Sequence, residues 1–128
     1  MSVLYVGLGG AFGAMARYLM SSVINKYWLG AFPLATLIIN LIGCFCIGVL
    51  VALFSKYSDW SGDLKLFLIT GFCGGFTTFS TFTLEQWTLL ANKMAWQSIL
   101  YIVSSVILGL ICLILGFAFV KFLNKLIY

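Results

Sequence analysis

A few polar side chains interrupt long apolar stretches of this 128-residue chain, and they are the residues that could do chemistry. Thr36 and Asn40 are four residues apart and share one face of a helix, while Tyr101 precedes Ser104 and Ser105 in a later apolar run. In an apolar environment such groups need hydrogen-bond partners or a water-filled path. Each is therefore a functional candidate, although the serines can bond back to their own helix and Asn40 can join two helices.

A second group of polar residues lies in a segment that is a poor continuous helix. Gly74-Gly75 is followed by Thr77-Thr78, and glycine is conformationally permissive whereas threonine is restricted at χ1. If the segment crosses a membrane, a break in its helix would free backbone carbonyls, which must then be buried in protein or line a cavity. Free carbonyl oxygens suit a small hard cation such as Na⁺.

Aromatic and hydroxyl residues alternate directly after this candidate break. Phe79 and Phe82 are three residues apart and share a helix face. The interleaved hydroxyl residues are Ser80, Thr81 and Thr83. The segment is either part of a polar path or a kinked helix with an ordinary aromatic stripe.

The composition excludes most classes of protein in which such residues could act. The chain is 63% hydrophobic and 8% charged, against roughly 25% charged in a soluble domain, and its mean hydropathy is +1.16. It has no His and three carboxylates, so the commonest general acid–base group is absent and we expect no enzyme. Its four cysteines form no CxxC pair and fit apolar packing. These features indicate a small integral membrane protein.

Long charge-free stretches predict the elements that position the polar residues. A spanning helix needs about 20 mostly apolar residues, and four such windows exist. The predicted transmembrane helices cover about 3–24, 33–54, 65–90 with a break near 74–78, and 96–121. We therefore expect an all-α membrane protein with a single domain, residues 1–128, in which Pro33 lies in the first turn of the second helix.

The basic residues orient the four helices only weakly. One membrane side would hold Lys56, Lys65, Lys121 and Lys125, and the other Lys26, Lys93 and, if it reaches that interface, Arg17. Membrane proteins orient by an excess of Lys and Arg on one side, and here the excess is slight. The charges fit a single orientation with a weak signal or insertion in both orientations, which would permit an antiparallel dimer.

Small residues predict close contacts between helices. Gly9 and Gly13 form one GxxxG pair and Gly71 and Gly75 form another. In lipid, helices associate through close van der Waals approach, which small residues allow. The pairs can serve packing within one chain or contact with a second copy.

Three segments together resemble a known family. Residues 71–85, Gly-Phe-Cys-Gly-Gly-Phe-Thr-Thr-Phe-Ser-Thr-Phe-Thr-Leu-Glu, closely resemble the third-helix signature of the Fluc (CrcB-type) fluoride channels. Residues 9–18 resemble the glycine-rich run of that family that ends in Arg, and residues 33–43 match its Thr…Asn…Gly pattern. The third-helix motif is the specific one, and length and helix spacing agree from end to end.

The resemblance implies an assembly and a set of functional residues. It implies an antiparallel dual-topology homodimer in the inner or plasma membrane, with two pores that let fluoride leave the cell down its gradient. It also implies a structural Na⁺ at the dimer interface, which is not transported and is held by the backbone carbonyls of Gly74 and Thr77. The partners are fluoride, a second copy of the chain and the bilayer, with no nucleic acid. The family's pore positions match Asn40, Phe79, Phe82, Tyr101 and Ser105, and Gly109 stands where some relatives have another pore hydroxyl.

The residue types suit the permeation of fluoride. A pore must replace the tightly bound water of this ion with hydrogen-bond donors, here the amide of Asn40 and the hydroxyls of Ser80, Thr81, Thr83, Ser105 and Tyr101. Phenylalanine rings have positive edges, which can contact an anion without trapping it. Arg17 and the net charge of +4 would attract anions, although Arg17 can also snorkel or cap carbonyls. Glu85 is expected to be structural, pairing or bonding to backbone.

Two other kinds of protein fit the size of the chain. A small multidrug-type proton-coupled transporter also has four helices, but that class relies on a carboxylate in its first helix, and no Asp or Glu precedes Asp59. A non-transporting subunit of a larger membrane complex would explain the glycine faces. It would not explain the polar stripe that contains Asn40 and Tyr101.

Overall fold

Helices account for all the regular secondary structure in the part of the chain that the computed structural model describes, residues 1–57 and 59–127. The elements are α1 (Ser2–Tyr27), α2 (Leu34–Lys56), α3 (Gly62–Lys65), a π-helical segment (Leu66–Cys73), α4 (Gly74–Phe76), α5 (Phe79–Ala91) and α6 (Ala95–Ile127). Four spans are long and apolar enough to cross a membrane: α1, α2, Gly62–Ala91 and α6. The predicted all-α fold with four membrane-spanning helices is confirmed.

The predicted ends of the helices were wrong by one to six residues. The largest difference is at α6, which continues to Ile127 instead of ending at 121. The apolar stretch of the sequence ends at the lysines near residue 121. A cation is favourable in the last turn of a helix, however, and does not end the helix. Pro33 is the N-cap of α2 and therefore precedes the first turn.

The third span, Gly62–Ala91, contains the predicted break. Gly74 and Gly75 are helical, and the chain becomes extended at Thr77 (φ −82°, ψ 160°) and Thr78 (φ −150°, ψ 121°). The break therefore lies at the two threonines rather than at the glycines. Thr78 begins α5 as its N-cap, and its hydroxyl accepts a hydrogen bond from the backbone N–H of Thr81 at 3.3 Å.

The π-helical segment before the break was not predicted. Its wider turn lies against α1, where Gly9 and Gly13 bring the two backbones together. A methyl group at Gly9 would overlap the carbonyl of Phe67, and one at Gly13 would overlap the carbonyl of Phe72. Both glycines therefore serve packing within one chain.

Glycines also set the contact between α2 and α6. A methyl group at Gly48 would overlap the carbonyl of Leu113, and one at Gly116 would overlap the carbonyl of Phe45. By contrast, Gly7 and Gly74 face open space. The chain thus folds as two glycine-packed helix pairs, α1 with the third span and α2 with α6.

Candidate functional site

The break in the third span is held by a side chain from α2. The Oδ1 atom of Asn40 accepts a hydrogen bond from the backbone N–H of Thr78 at 2.9 Å, and its Nδ2 atom donates to the carbonyl of Thr78 at 3.2 Å. Asn40 therefore satisfies a peptide group that the break would otherwise leave unpaired. One of the two amide N–H groups of Asn40 is used in this way, and the other remains available to another acceptor.

The same contact changes the hydrogen bonding of one of the two carbonyls predicted to bind Na⁺, that of Gly74. In a continuous helix the N–H of Thr78 would donate to the carbonyl of Gly74, but here it donates to Asn40. Thr77 lies outside both helices, and its own N–H and hydroxyl donate to the carbonyl of Cys73 at 3.0 Å. Gly74 is exposed on the surface of the chain. The carbonyl of Gly74 thus lacks its helical donor, and the Na⁺ site stays a prediction.

An aromatic cleft of about 330 Å³ lies beside the break, and four of the predicted pore residues line it: Asn40, Phe79, Phe82 and Ser105. The ring centroids of Phe79 and Phe82 are 5.8 Å apart, and Phe79 is 79% exposed. The hydroxyl oxygen of Ser105 is buried and has no hydrogen-bond partner among the described residues. The residues that line the cleft thus carry an amide, a hydroxyl and two aromatic rings.

The carboxylate of Glu85 is the centre of a hydrogen-bond network beside this cleft. Its Oε1 atom accepts from the hydroxyl of Thr36 and its Oε2 atom from the hydroxyl of Tyr101, both at 2.7 Å. Tyr101 is fully buried, and its ring contacts that of Phe82 with a centroid separation of 4.8 Å. The expected pairing of Glu85 with a cation or with the backbone is not what the structure shows, because its hydrogen-bond partners are hydroxyls. The Tyr101 hydroxyl points to Glu85 instead of into the aromatic cleft.

The three hydroxyl residues of α5 differ in position. Thr83 is exposed and donates to the carbonyl of Phe79 at 3.0 Å, so its proton is used within its own helix. Ser80 is exposed as well. Thr81 accepts from the hydroxyl of Thr78 at 3.0 Å and lines a second cleft. The predicted set Ser80, Thr81 and Thr83 is therefore not brought together on one surface.

Arg17 lies in this second cleft, which has a volume of about 200 Å³. Thr36, Thr78 and Thr81 also line it, and Thr78 lines the aromatic cleft too. Arg17 makes no ion pair or hydrogen bond with any residue that the structure describes. Its guanidinium therefore caps no carbonyl of a described residue, and its role in attracting anions stays a prediction.

Comparison with known proteins identifies the family. The profile of the family described as "CrcB-like protein, Camphor Resistance (CrcB)" matches residues 4–117. The chain belongs to the CrcB family. The resemblance to the Fluc (CrcB-type) proteins is confirmed, and this CrcB-family chain is a multi-pass membrane protein.

Relatives of this CrcB-family chain match it over nearly their whole length. A protein of Methylobacillus flagellatus is 46% identical over 120 residues, which are 93% of this chain and 94% of the relative. One of Azobacteroides pseudotrichonymphae is 40% identical over 94% and 96% of the two chains, and one of Ruminiclostridium cellulolyticum is 44% identical over 90% and 88%. All three carry the name "Fluoride-specific ion channel FluC", which is the name of a channel and not of an enzyme or a drug transporter.

Sequence reasoning missed how the CrcB-family chain pairs its polar groups. It placed Tyr101 among the pore donors and did not connect Glu85 with Thr36. A lone carboxylate in an apolar helix requires donors, and a search for hydroxyls at the same membrane depth would have suggested both partners.

Proposed function

We propose that this chain is a fluoride-selective channel that lets fluoride leave the cell passively. The observation that carries the proposal is the aromatic cleft, in which Asn40 and Ser105 offer donors beside the rings of Phe79 and Phe82. The names of the relatives support fluoride as the permeant ion. The chain acts by conduction and is not an enzyme.

The groups in the cleft suit a small, strongly hydrated anion. The remaining N–H of Asn40 and the hydroxyl of Ser105 replace part of the lost hydration. The positive edges of the two phenylalanine rings add contacts that are individually weak. Several weak contacts let the ion enter and also leave, which a single strong site would prevent. Arg17 raises the local concentration of anions near Thr78.

Glu85 does not carry protons in this proposal. Its two carboxylate oxygens each accept a hydrogen bond from a hydroxyl, so both are already bound to protein donors. The carboxyl group is thus held in place by Thr36 and Tyr101. Flux follows the fluoride gradient without coupling to protons.

The proposed assembly is an antiparallel homodimer in the inner or plasma membrane. Between 11% and 22% of the most apolar part of each span is buried within one chain, which leaves large apolar surfaces for lipid and a second copy. The exposed Gly74 allows another chain to approach the break closely. The carbonyls of Gly74 and Thr77 from both copies would then hold a Na⁺, whose charge would fix the two breaks against each other.

Efflux from liposomes tests the function directly. Purified protein is reconstituted in vesicles loaded with fluoride or with chloride, and a selective electrode records each ion. We expect rapid fluoride release, little chloride release, and no dependence on a proton gradient. Equal passage of both anions, or passage of neither, would contradict the proposal. Sodium flux that follows fluoride flux in a fixed ratio would contradict the structural role of Na⁺.

A further inference from the structure

A groove of about 390 Å³ lies between the final turns of α2 and α6, and none of the residues that line it lines either of the two clefts. Its end nearest the C-terminus of α6 carries Lys121 and Asn124. The rest of its lining is apolar: Ala52, Ile114, Phe117, Ala118 and Val120. The groove therefore changes from apolar to basic and polar along the direction of the two helices.

The basic end of the groove lies at a membrane surface. α6 begins at Ala95, directly after the connection at the opposite surface, and the helical rise from there to Lys121 is about 39 Å. A bilayer with its headgroups is about 40–45 Å thick. Lys121 therefore lies at the level of the headgroup phosphates, and the apolar part of the groove lies at the level of the acyl chains.

Three positive charges gather at this end of the groove. Lys121 and Lys125 are four residues apart on α6, so they share one face of the helix and repel each other. The Nζ atom of Lys56, at the end of α2, donates to the Oδ1 atom of Asn124 at 2.6 Å, which brings a third charge to the same place. Lys121 and Lys125 form no ion pair or hydrogen bond with any residue that the structure describes. An anion placed between these side chains would offset their repulsion.

Charge complementarity favours a lipid over a second copy of the chain as the occupant. In the proposed antiparallel assembly, the second copy would present at this surface the end that holds Lys26 and Lys93. Its Asp59 and Asp63 would lie at the opposite surface, and its Glu85 accepts two hydrogen bonds inside the chain. That copy would thus bring further positive charge, whereas an anionic phospholipid brings both a phosphate and an acyl chain.

We propose that this groove binds one anionic phospholipid, whose phosphate accepts hydrogen bonds from Lys121 and Asn124 and whose acyl chain lies in the apolar part. The two neighbouring lysines strengthen the attraction to the phosphate. Basic recesses between the ends of transmembrane helices suit acidic headgroups, because several cations act on one phosphate at the membrane surface. The bound lipid would join the ends of α2 and α6, and the site is independent of the proposed fluoride path.

Two kinds of variant separate a bound lipid from lysines that only neutralise the ends of helices. Lys121→Gln removes the charge and keeps a polar side chain, and Lys65→Gln is its matched control, since Lys65 is exposed on the third span at the same membrane surface. Ala118→Phe fills the groove from an exposed position and leaves every charge in place. Ala95→Phe makes the same change at the exposed first residue of α6 and is the control for it.

Native mass spectrometry of the full-length protein measures the bound lipid. The parent and each variant are incubated in detergent with equal amounts of phosphatidylglycerol and phosphatidylcholine, and the lipids that remain bound are counted. We expect the parent to retain phosphatidylglycerol in preference, Lys121→Gln to lower that preference by about fivefold, and Ala118→Phe to lose most of the bound lipid. Both control variants should retain phosphatidylglycerol like the parent. Phosphatidylglycerol should also raise the thermal stability of the parent more than that of Lys121→Gln.

Equal retention of the two lipids by the parent, or unchanged binding of phosphatidylglycerol by Lys121→Gln or by Ala118→Phe, would overturn the inference. Displacement of phosphatidylglycerol by an excess of inorganic phosphate would also overturn it, because the groove would then bind an ion rather than a lipid. Later elution of Ala118→Phe in size-exclusion chromatography, as for a dissociated assembly, would assign the groove to a second copy instead. A parent protein that passes no fluoride would refute the channel function without affecting this site.

Discussion

At the scale of single residues, the site is defined by which polar groups still have a proton to donate. Ser105 and one N–H of Asn40 remain available beside the phenylalanines, whereas the hydroxyls of Tyr101 and Thr83 are committed to protein acceptors. A committed hydroxyl positions its neighbours and cannot also replace the hydration of an ion. In the proposed path, the aromatic rings therefore contribute more than a count of polar residues would indicate.

Replacing either cleft phenylalanine with isoleucine should lower fluoride efflux from liposomes by about tenfold or more, which corresponds to about 1.4 kcal/mol of barrier. Isoleucine keeps most of the bulk but lacks the positive ring edge. Phe82→Ile should also lower thermal stability, because it loses the contact with Tyr101, whereas the exposed Phe79 should tolerate the change.

Phe12→Ile is the control for these two variants. Phe12 is exposed on α1 and contacts Phe67 at a centroid separation of 6.3 Å, away from the cleft. Fluoride efflux through the Phe12→Ile variant should match that through the parent protein. Unchanged flux in both Phe79→Ile and Phe82→Ile would refute the aromatic role.

At the scale of elements, the irregular third span depends on its neighbours. The π-helical segment packs on the glycine face of α1, and the extended residues after α4 are paired by Asn40 of α2. Free carbonyls and an unpaired peptide would be costly in an apolar surrounding. The break persists because two other helices satisfy it or cover it.

Gly13→Ala should destabilise the protein by about 1–3 kcal/mol, since a methyl group there overlaps the backbone of the π-helical segment, which cannot move aside easily. Gly7→Ala is the matched control on the same helix, where the added methyl group meets nothing, and its effect should stay within about 0.5 kcal/mol. Unfolding in a denaturing detergent measures the free energy of unfolding of both variants. Equal stability of the two variants would mean that α1 and the third span do not pack as described.

At the scale of the whole molecule, the four spans leave both membrane faces nearly equal in charge. The basic residues near the two interfaces number four against two or three, so the excess that orients the chain is slight. A small orientation energy permits insertion in both orientations, which the proposed antiparallel dimer requires. The proposed antiparallel dimer depends on this balance.

Labelling of intact cells distinguishes dual from single topology. Ser2→Cys marks the start of α1, and Leu29→Cys marks the connection at its other end, where the side chain is 92% exposed. A membrane-impermeant thiol reagent should modify about half of the chains in each variant if both orientations occur. Complete labelling of one variant and none of the other would demonstrate a single orientation.

The sequence alone determined that this is a four-span helical membrane protein with a break near 74–78, because hydrophobicity and helix propensity are properties of neighbouring residues. It also singled out Asn40, Phe79, Phe82 and Ser105, which the fold brings to one cleft. Only the tertiary structure decided which donors remain free. The bonds from Thr36 to Glu85 and from Asn40 to Thr78 join residues 49 and 38 positions apart, and such pairing depends on how helices pack rather than on local pattern.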